Sequence, residues 1–432
     1  MSIWSVAMRE GKAAIEEGVV IQLRGGQPPL IETTNLGVPE AVGAGMFDRQ
    51  GRLVGISTQF REAGRDVYFT APVEWLDQLT TRSGPPGRLH WLKRSVALEE
   101  SEQWEPLRDL SRQWSTAFPA DGSAWHTLGY SCIVLHDLNG ALAAFEQTVR
   151  VNTGDIDGWS NLGYVYTDLQ RLPEAIGAYR EVVRINLAKC FPEMDPVARE
   201  QLVGQSLKDI GKSLTESACA WIWPAQRSID LVREVEGLDV LKEALASGKG
   251  VVGITSHLGN WEVLNHFYCS QCKPIIFYRP PKLKAVDELL QKQRVQLGNR
   301  VAASTKEGIL SVIKEVRKGG QVGIPADPEP AESAGIFVPF LGTMALTSKF
   351  VPNMLAGGKA VGVFLHALRL PDGSGFKVIL EAAPEEMYST DTATSCAAMS
   401  KVVEKYVRAY PSQYMWSMKR FKKRPPGEAR WY

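Results

Sequence analysis

The chain has 432 residues, 49 Lys and Arg against 48 Asp and Glu, and 44% hydrophobic residues. That length predicts two or three domains rather than one core. The net charge of +1 gives no global field of the kind that draws a protein to nucleic acid. Met1-Ser-Ile-Trp-Ser5 is not a basic segment followed by an apolar run, so no signal peptide is expected. No window of about 18 apolar residues predicts a transmembrane helix. The six cysteines are scattered apart from Cys269-Ser-Gln-Cys272, and one such pair without nearby histidines is a poor zinc site. Reduced thiols, no metal and no cofactor are expected.

Residues 1–88 read as β-rich. Val19–Leu23 and Leu53–Ser57 are short strand signals, and Asp48-Arg-Gln-Gly51 between them is a turn. Gly45–Ile56 followed by Tyr68–Leu76 resembles the last strands of a trypsin-like serine protease barrel. Where that family carries its nucleophile in a Gly-x-Ser-Gly-Gly-Pro loop, this chain has Ala41-Val-Gly-Ala-Gly-Met46, without a serine. A hydroxyl nucleophile and its base are both needed for such chemistry, so the segment reads as an inactive remnant or scaffold. Ser83-Gly-Pro-Pro-Gly87 reads as a linker.

Residues 89–186 read as repeated helices. Trp91, Trp125 and Trp159 are spaced by 34, Trp125–Tyr130 aligns with Trp159–Tyr164, and Ala141 and Phe145 align with Ala175 and Tyr179. This resembles the tetratricopeptide pattern of stacked helix pairs. The resemblance implies either a groove for a peptide partner or a helical spacer; two to three units favour the spacer. The helix signal of Leu172–Asn186 runs directly into Leu187–Met194. Asp195-Pro196 is a helix start, with aspartate as N-cap and proline in the first turn. Trp221-Ile-Trp223 before Pro224 reads either as core or as an element at a lipid interface.

From residue 250, strand and helix signals alternate. Strands are expected at Val251–Thr255, Pro274–Tyr278, Gln321–Ile324 and Val361–Leu365, with helices at 284–297 and Gly308–Arg317. Such alternation predicts a mixed α/β sheet flanked by helices. His257-Leu-Gly-Asn-Trp-Glu262 follows the first of these strands, on a strand-to-helix turn, where α/β sheets carry working groups. A histidine can take a proton from a hydroxyl near neutral pH, and a carboxylate within reach would fix its tautomer.

His257–Glu262 resembles the His-x4-Asp/Glu motif of the late acyltransferases of lipid A biosynthesis. Cys190–Met194, Tyr278–Pro280, Ala326–Pro330, Gly335–Gly342, Ala345–Thr347, Pro411–Trp416 and Lys419–Gly427 follow the same family's order. The resemblance covers about Arg180 to the end and divides the chain into 1–88, 89–186 and 187–432. It implies acyl transfer from an acyl-carrier-protein thioester to a hydroxyl of an acylated lipid A precursor. His257 would be the base, Glu262 would orient it, and no covalent acyl-enzyme is required. Asn260, with the backbone of its turn, Arg279, Arg294, Asp327 and Glu329 would contact substrate. For Arg294 a solvated helix face stays open, and for Asp327 and Glu329 a purely loop-building role. The family's more usual Asp-Gln is Asp327-Pro328 here.

Family members usually carry an amino-terminal membrane helix where this chain has its repeats. The implied location is nevertheless the cytoplasmic face of the bacterial inner membrane. Residues 401–432 hold nine Lys and Arg against two Glu, and with Trp416 and Trp431 they suit an anionic membrane surface. Two alternatives stay open: another lipid acceptor, such as a glycerolipid or ornithine lipid, and a repeat-based adaptor carrying degraded enzyme modules.

Overall fold

The computed structural model describes residues 2–9, 12–24, 30–33, 44–62, 65–74, 87–281 and 284–428. It divides into two compact units, Met1–Ala97 and Leu98–Tyr432. In the first, β1 (Ser2–Arg9), β2 (Lys12–Arg24), β3 (Leu30–Thr33), β4 (Gly45–Phe47), β5 (Leu53–Glu62) and β6 (Arg65–Pro72) close a barrel in the order β1-β2-β3-β6-β5-β4. Val19–Leu23 falls within β2 and Leu53–Ser57 within β5. The turn between β4 and β5 is held by Asp48, whose Oδ1 accepts from the Gln50 and Arg52 amides, each at 2.9 Å. Residues 41–43 and 83–86, the start of the loop that lacks a serine and most of the expected linker, lie outside the described residues, as does Trp431.

Helix α1 (Arg88–Glu100) spans the division between the units. Then come α2 (Trp104–Ala117), α3 (Gly122–Val134), α4 (Leu138–Val151), α5 (Ile156–Asp168) and α6 (Leu172–Cys190). The 34-residue offset has a physical basis in close packing and capping. A Cβ at Gly129 would stand 2.7 Å from the Phe145 ring and one at Gly163 2.8 Å from the Tyr179 ring. Trp125 and Trp159 each donate Nε1–H six residues back, to Pro119 and Thr153. Asp121, Asp137 and Asp155 cap α3, α4 and α5. Helix α6 passes uninterrupted through the expected boundary at 186. Its Val183, Leu187 and Cys190, with Phe191, join the core that includes Val252 and Ile254 of the sheet.

After α7 (Pro196–Ile222), whose N-cap Asp195 accepts from Val197 and Ala198, comes α8 (Ala225–Ile229). The α/β region then runs β7 (Val232–Glu236), α9 (Leu238–Ala246), β8 (Gly250–Thr255), α10 (Trp261–Gln271), β9 (Ile275–Tyr278), α11 (Lys284–Arg294) and β10 (Arg300–Ala303). It continues with α12 (Lys306–Arg317), β11 (Gln321–Pro325), the hairpin β12 (Gly335–Phe340) and β13 (Thr343–Ser348), and α13 (Phe350–Leu355). Last are β14 (Ala360–Arg369), β15 (Phe376–Ala382) and α14 (Thr392–Ala409). Seven strands form a mixed sheet in the order β10-β9-β11-β8-β14-β15-β7. All neighbours are parallel except β14 and β15. Helices cover both faces of the central strands, so β8 and β14 are nearly continuous runs of buried residues.

Among the described residues, no helix is long and apolar enough to cross a membrane. Trp221 and Trp223 are partly exposed around an exposed Ile222, and Arg227 stacks 4.3 Å over Trp223. Trp416, expected at a surface, is instead core: it is 2% exposed and packs edge-on against Phe191.

Candidate active site

Strand β8 ends at Thr255 and the chain turns through residues 256–260 before α10 begins. Gly259 makes that turn possible. Its φ is +71°, and a Cβ there would stand 2.0 Å from the Ala367 carbonyl oxygen. Asn260 Oδ1 caps α10, accepting from the Glu262 and Val263 amides at 3.0 Å each. The turn leaves His257 at the carboxyl end of β8. The neighbouring β11 runs parallel, with Pro325 beside Thr255, so the segments leaving both strands meet. Asp327 Oδ2 accepts from the His257 amide at 2.9 Å, and its Oδ1 lies 3.0 Å from His257 Nδ1. With Nδ1 as donor, Nε2 is the basic nitrogen. Burial disfavours the imidazolium, but the charge and hydrogen bond of Asp327 outweigh it and raise the His257 pKa above the ordinary histidine value. Burial likewise works against the Asp327 charge, yet His257 and Arg420 hold its pKa below the usual range.

Beside this pair lies a cavity of about 670 Å³, within the size range of small-molecule sites. Gly253 and Gly323, registered neighbours on β8 and β11, leave room that side chains would fill. A Cβ on Gly253 would stand 2.9 Å from Tyr268, and one on Gly323 2.9 Å from Ile276. Leu264, Leu290 and Leu365 add apolar wall. Arg279 and Lys422, both exposed, line it together with Lys419, so an apolar space opens at a cationic rim.

The expectation that Glu262 orients His257 is corrected by this geometry. The first turn of α10 carries Glu262 away from the histidine and towards α11. There it is 1% exposed and both its oxygens accept from Arg294, Oε2 from Nε at 3.2 Å and Oε1 from Nη2. Arg294 is therefore not on a solvated face. Its side chain is 12% exposed, 5.4 Å over the Tyr278 ring, and lines the cavity. Asn260 is occupied structurally: Oδ1 caps the helix and Nδ2 donates to Glu216. Within the turn expected to contact substrate through its backbone, the Gly259 and Asn260 amides already donate to the Gln413 and Ala367 carbonyls. Glu329 lines the cavity and accepts from the Lys423 amide at 2.9 Å; burial pushes its pKa up. The contact of Asp327 with His257 escaped sequence reasoning. Its signal was that His257 and Asp327 both directly follow short apolar strands, as neighbouring parallel strands require.

A carboxyl-terminal segment completes the site. The Met415 amide donates to the His257 carbonyl at 2.9 Å. Further on, Arg420 and Arg424 turn into the β12–β13 hairpin, donating to the Leu346 and Met344 carbonyls, so neither is a free surface cation. Behind Asp327, burial lowers the His366 pKa to about 4, which keeps that ring neutral. Burial also pushes the Cys190 and Cys269 thiols up to about 12, so neither supplies a thiolate nucleophile near neutral pH. Among the described residues, no cluster of His, Cys, Asp and Glu could hold a metal ion.

Comparison with known proteins gives this geometry a context. A family model described as "Bacterial lipid A biosynthesis acyltransferase" matches residues 167–423. The lipid A biosynthesis palmitoleoyltransferase of Escherichia coli (strain K12) is 30% identical over 251 residues, covering 57% of this chain and 79% of that one. The lauroyltransferase of the same organism is 30% identical over 243 residues, covering 56% and 78%. Its myristoyltransferase is 24% identical over 249 residues, covering 57% and 76%.

Proposed function

This chain belongs to the bacterial lipid A biosynthesis acyltransferase family, and is thus an acyltransferase of groups other than aminoacyl; from that premise we propose that it moves a fatty acyl chain from an acyl-carrier-protein thioester to a hydroxyl of an acylated lipid A precursor. The observation carrying the reading is the His257–Asp327 pair, 3.0 Å apart, beside an apolar cavity with a cationic rim. A secondary hydroxyl is a weak nucleophile. His257 Nε2 takes its proton as the oxygen attacks the thioester carbonyl, a step that typically contributes roughly 10²–10⁴-fold. Asp327 holds Nδ1 and stabilises the imidazolium. The carbon–sulfur bond then breaks, and the leaving thiolate takes the proton back. The acyl chain occupies the space beside Gly253, Gly323 and Tyr268, and the rim faces the anionic headgroup.

In this reading residues 187–432 are the acyltransferase domain, residues 89–186 tetratricopeptide-like helices and residues 1–88 an inactive protease-like remnant. The enzyme works peripherally at the cytoplasmic face of the inner membrane, where its acceptor resides. The adaptor alternative has less support, because the histidine, its carboxylate and the cavity are all in place. The test is transfer of a labelled acyl group from acyl-carrier protein to a tetra-acylated lipid A precursor in detergent. The expected result is transfer by the wild type and its loss in His257→Ala. A folded wild type that transfers nothing to this acceptor, but acylates a glycerolipid or ornithine lipid, would move the assignment to those lipids.

A further inference from the structure

Helices α5 and α6 hold a later segment of the chain that lines the cavity. The segment from Gln413 to Arg424 starts at the His257 turn, where Gln413 accepts from the Gly259 amide and Met415 donates to the His257 carbonyl. It ends at the cavity, which Met418, Lys419 and Lys422 line. Between these points the helices hold it at two places. Asn186 Nδ2 on α6 donates to the Trp416 carbonyl at 2.7 Å, in a buried contact. Asp157, in the first turn of α5, forms an ion pair with Lys419 and is itself 19% exposed. His126 on α3 bonds Asn161 on α5 at 3.1 Å and sits within the fields of Asp155, Asp157, Lys419 and Lys422.

We infer that Asp157 is a positioning residue that fixes Lys419 at the cavity rim, so that the repeated helices help build the site for a phosphate on an acylated acceptor. The chemistry follows from what the segment presents. Three cations, Arg279, Lys419 and Lys422, border an apolar space, and that pairing fits an amphiphile with an anionic head. Lysine is a flexible point charge whose direction is set by whatever holds it. Asp157 restricts Lys419 from outside the sheet, leaving Lys422 and Arg279 exposed beside it. This deepens the acyltransferase reading and rests on it for the identity of the amphiphile, but the contact can be tested without turnover.

The experiment measures equilibrium binding of a bis-phosphorylated acylated disaccharide, and of its dephosphorylated counterpart, to the full chain and its variants. Asp157→Asn is expected to weaken binding of the phosphorylated probe roughly 2- to 5-fold, the scale of a partly exposed ion pair. Asp157→Lys should weaken it further by repelling both lysines. Asp157→Glu should restore wild-type affinity, and the dephosphorylated probe should bind all four proteins alike. Thermal unfolding of each variant separates this from general damage. Equal affinities of wild type, Asp157→Asn and Asp157→Lys for the phosphorylated probe would overturn the inference. So would equal losses for both probes. If the wild type binds the phosphorylated probe in an Asp157-dependent way but transfers no acyl group, the positioning role stands and the acyltransfer reading alone falls.

Discussion

His257 and Arg294 both line the cavity and each is held by a carboxylate, yet the pairs differ in kind. Asp327 holds His257, whose ring can take up or release a proton and whose pKa the carboxylate raises. Glu262 holds Arg294, whose guanidinium keeps its charge at any working pH. The first pair is therefore adjustable, and its histidine side chain remains 27% exposed. The second is a fixed buried charge pair, with side chains 12% and 2% exposed. Sequence proximity of a carboxylate to a histidine does not decide its work; the partner's ability to titrate does.

The comparison can be broken most sharply at the histidine. His257→Ala should lower kcat roughly 10²–10⁴-fold, the usual range for a lost general base, with urea unfolding near that of the wild type. An unaltered kcat would remove His257 from the chemistry. Next comes the fixed pair. Glu262→Gln leaves Arg294 as an uncompensated buried charge and should cost about 3–5 kcal/mol of stability. Adding Arg294→Met should recover most of it in urea unfolding. If the double variant is no more stable than the single, the two residues are not one structural unit. The smallest effect expected is that of Asp327→Asn, a loss of roughly 10²-fold or less in kcat/KM. It carries a distinctive sign. Asp327 raises the His257 pKa and a base must be unprotonated, so wild-type activity falls away on acidification at a pH above the ordinary histidine value. Removing the carboxylate should move that acidic limb downwards. An upward shift would show that Asp327 does not set the proton affinity of His257.

Much of the α/β region was legible because its strands are short and apolar and its helices carry ordinary caps. Strands β8, β9, β11 and β14 each contain a segment expected from hydrophobic runs. Strand β7 was not legible: Val232-Arg-Glu-Val-Glu236 lies at a sheet edge with most of its residues exposed, and carries no apolar signature. At the site, His257 stands out through its motif, whereas its hydrogen-bonded carboxylate is Asp327 and Glu262 bonds Arg294. Five positions separate His257 from Glu262 in sequence, but a helix cap turns them apart. Seventy positions separate His257 from Asp327, but parallel register brings them together. Register is a relation between strands, and one strand's sequence does not state it.

The Gln413–Arg424 segment has a consequence in time as well as in space. It supplies the Met415 amide that satisfies the His257 carbonyl and the Gln413 carbonyl that satisfies the Gly259 amide, and a ribosome makes it long after the turn it completes. Contacts so distant in sequence close late in folding. Until that stretch is made, the turn around His257 lacks these two hydrogen bonds. The stretch that locks the turn follows every strand of the sheet in the chain, so the site matures only once that stretch has been made.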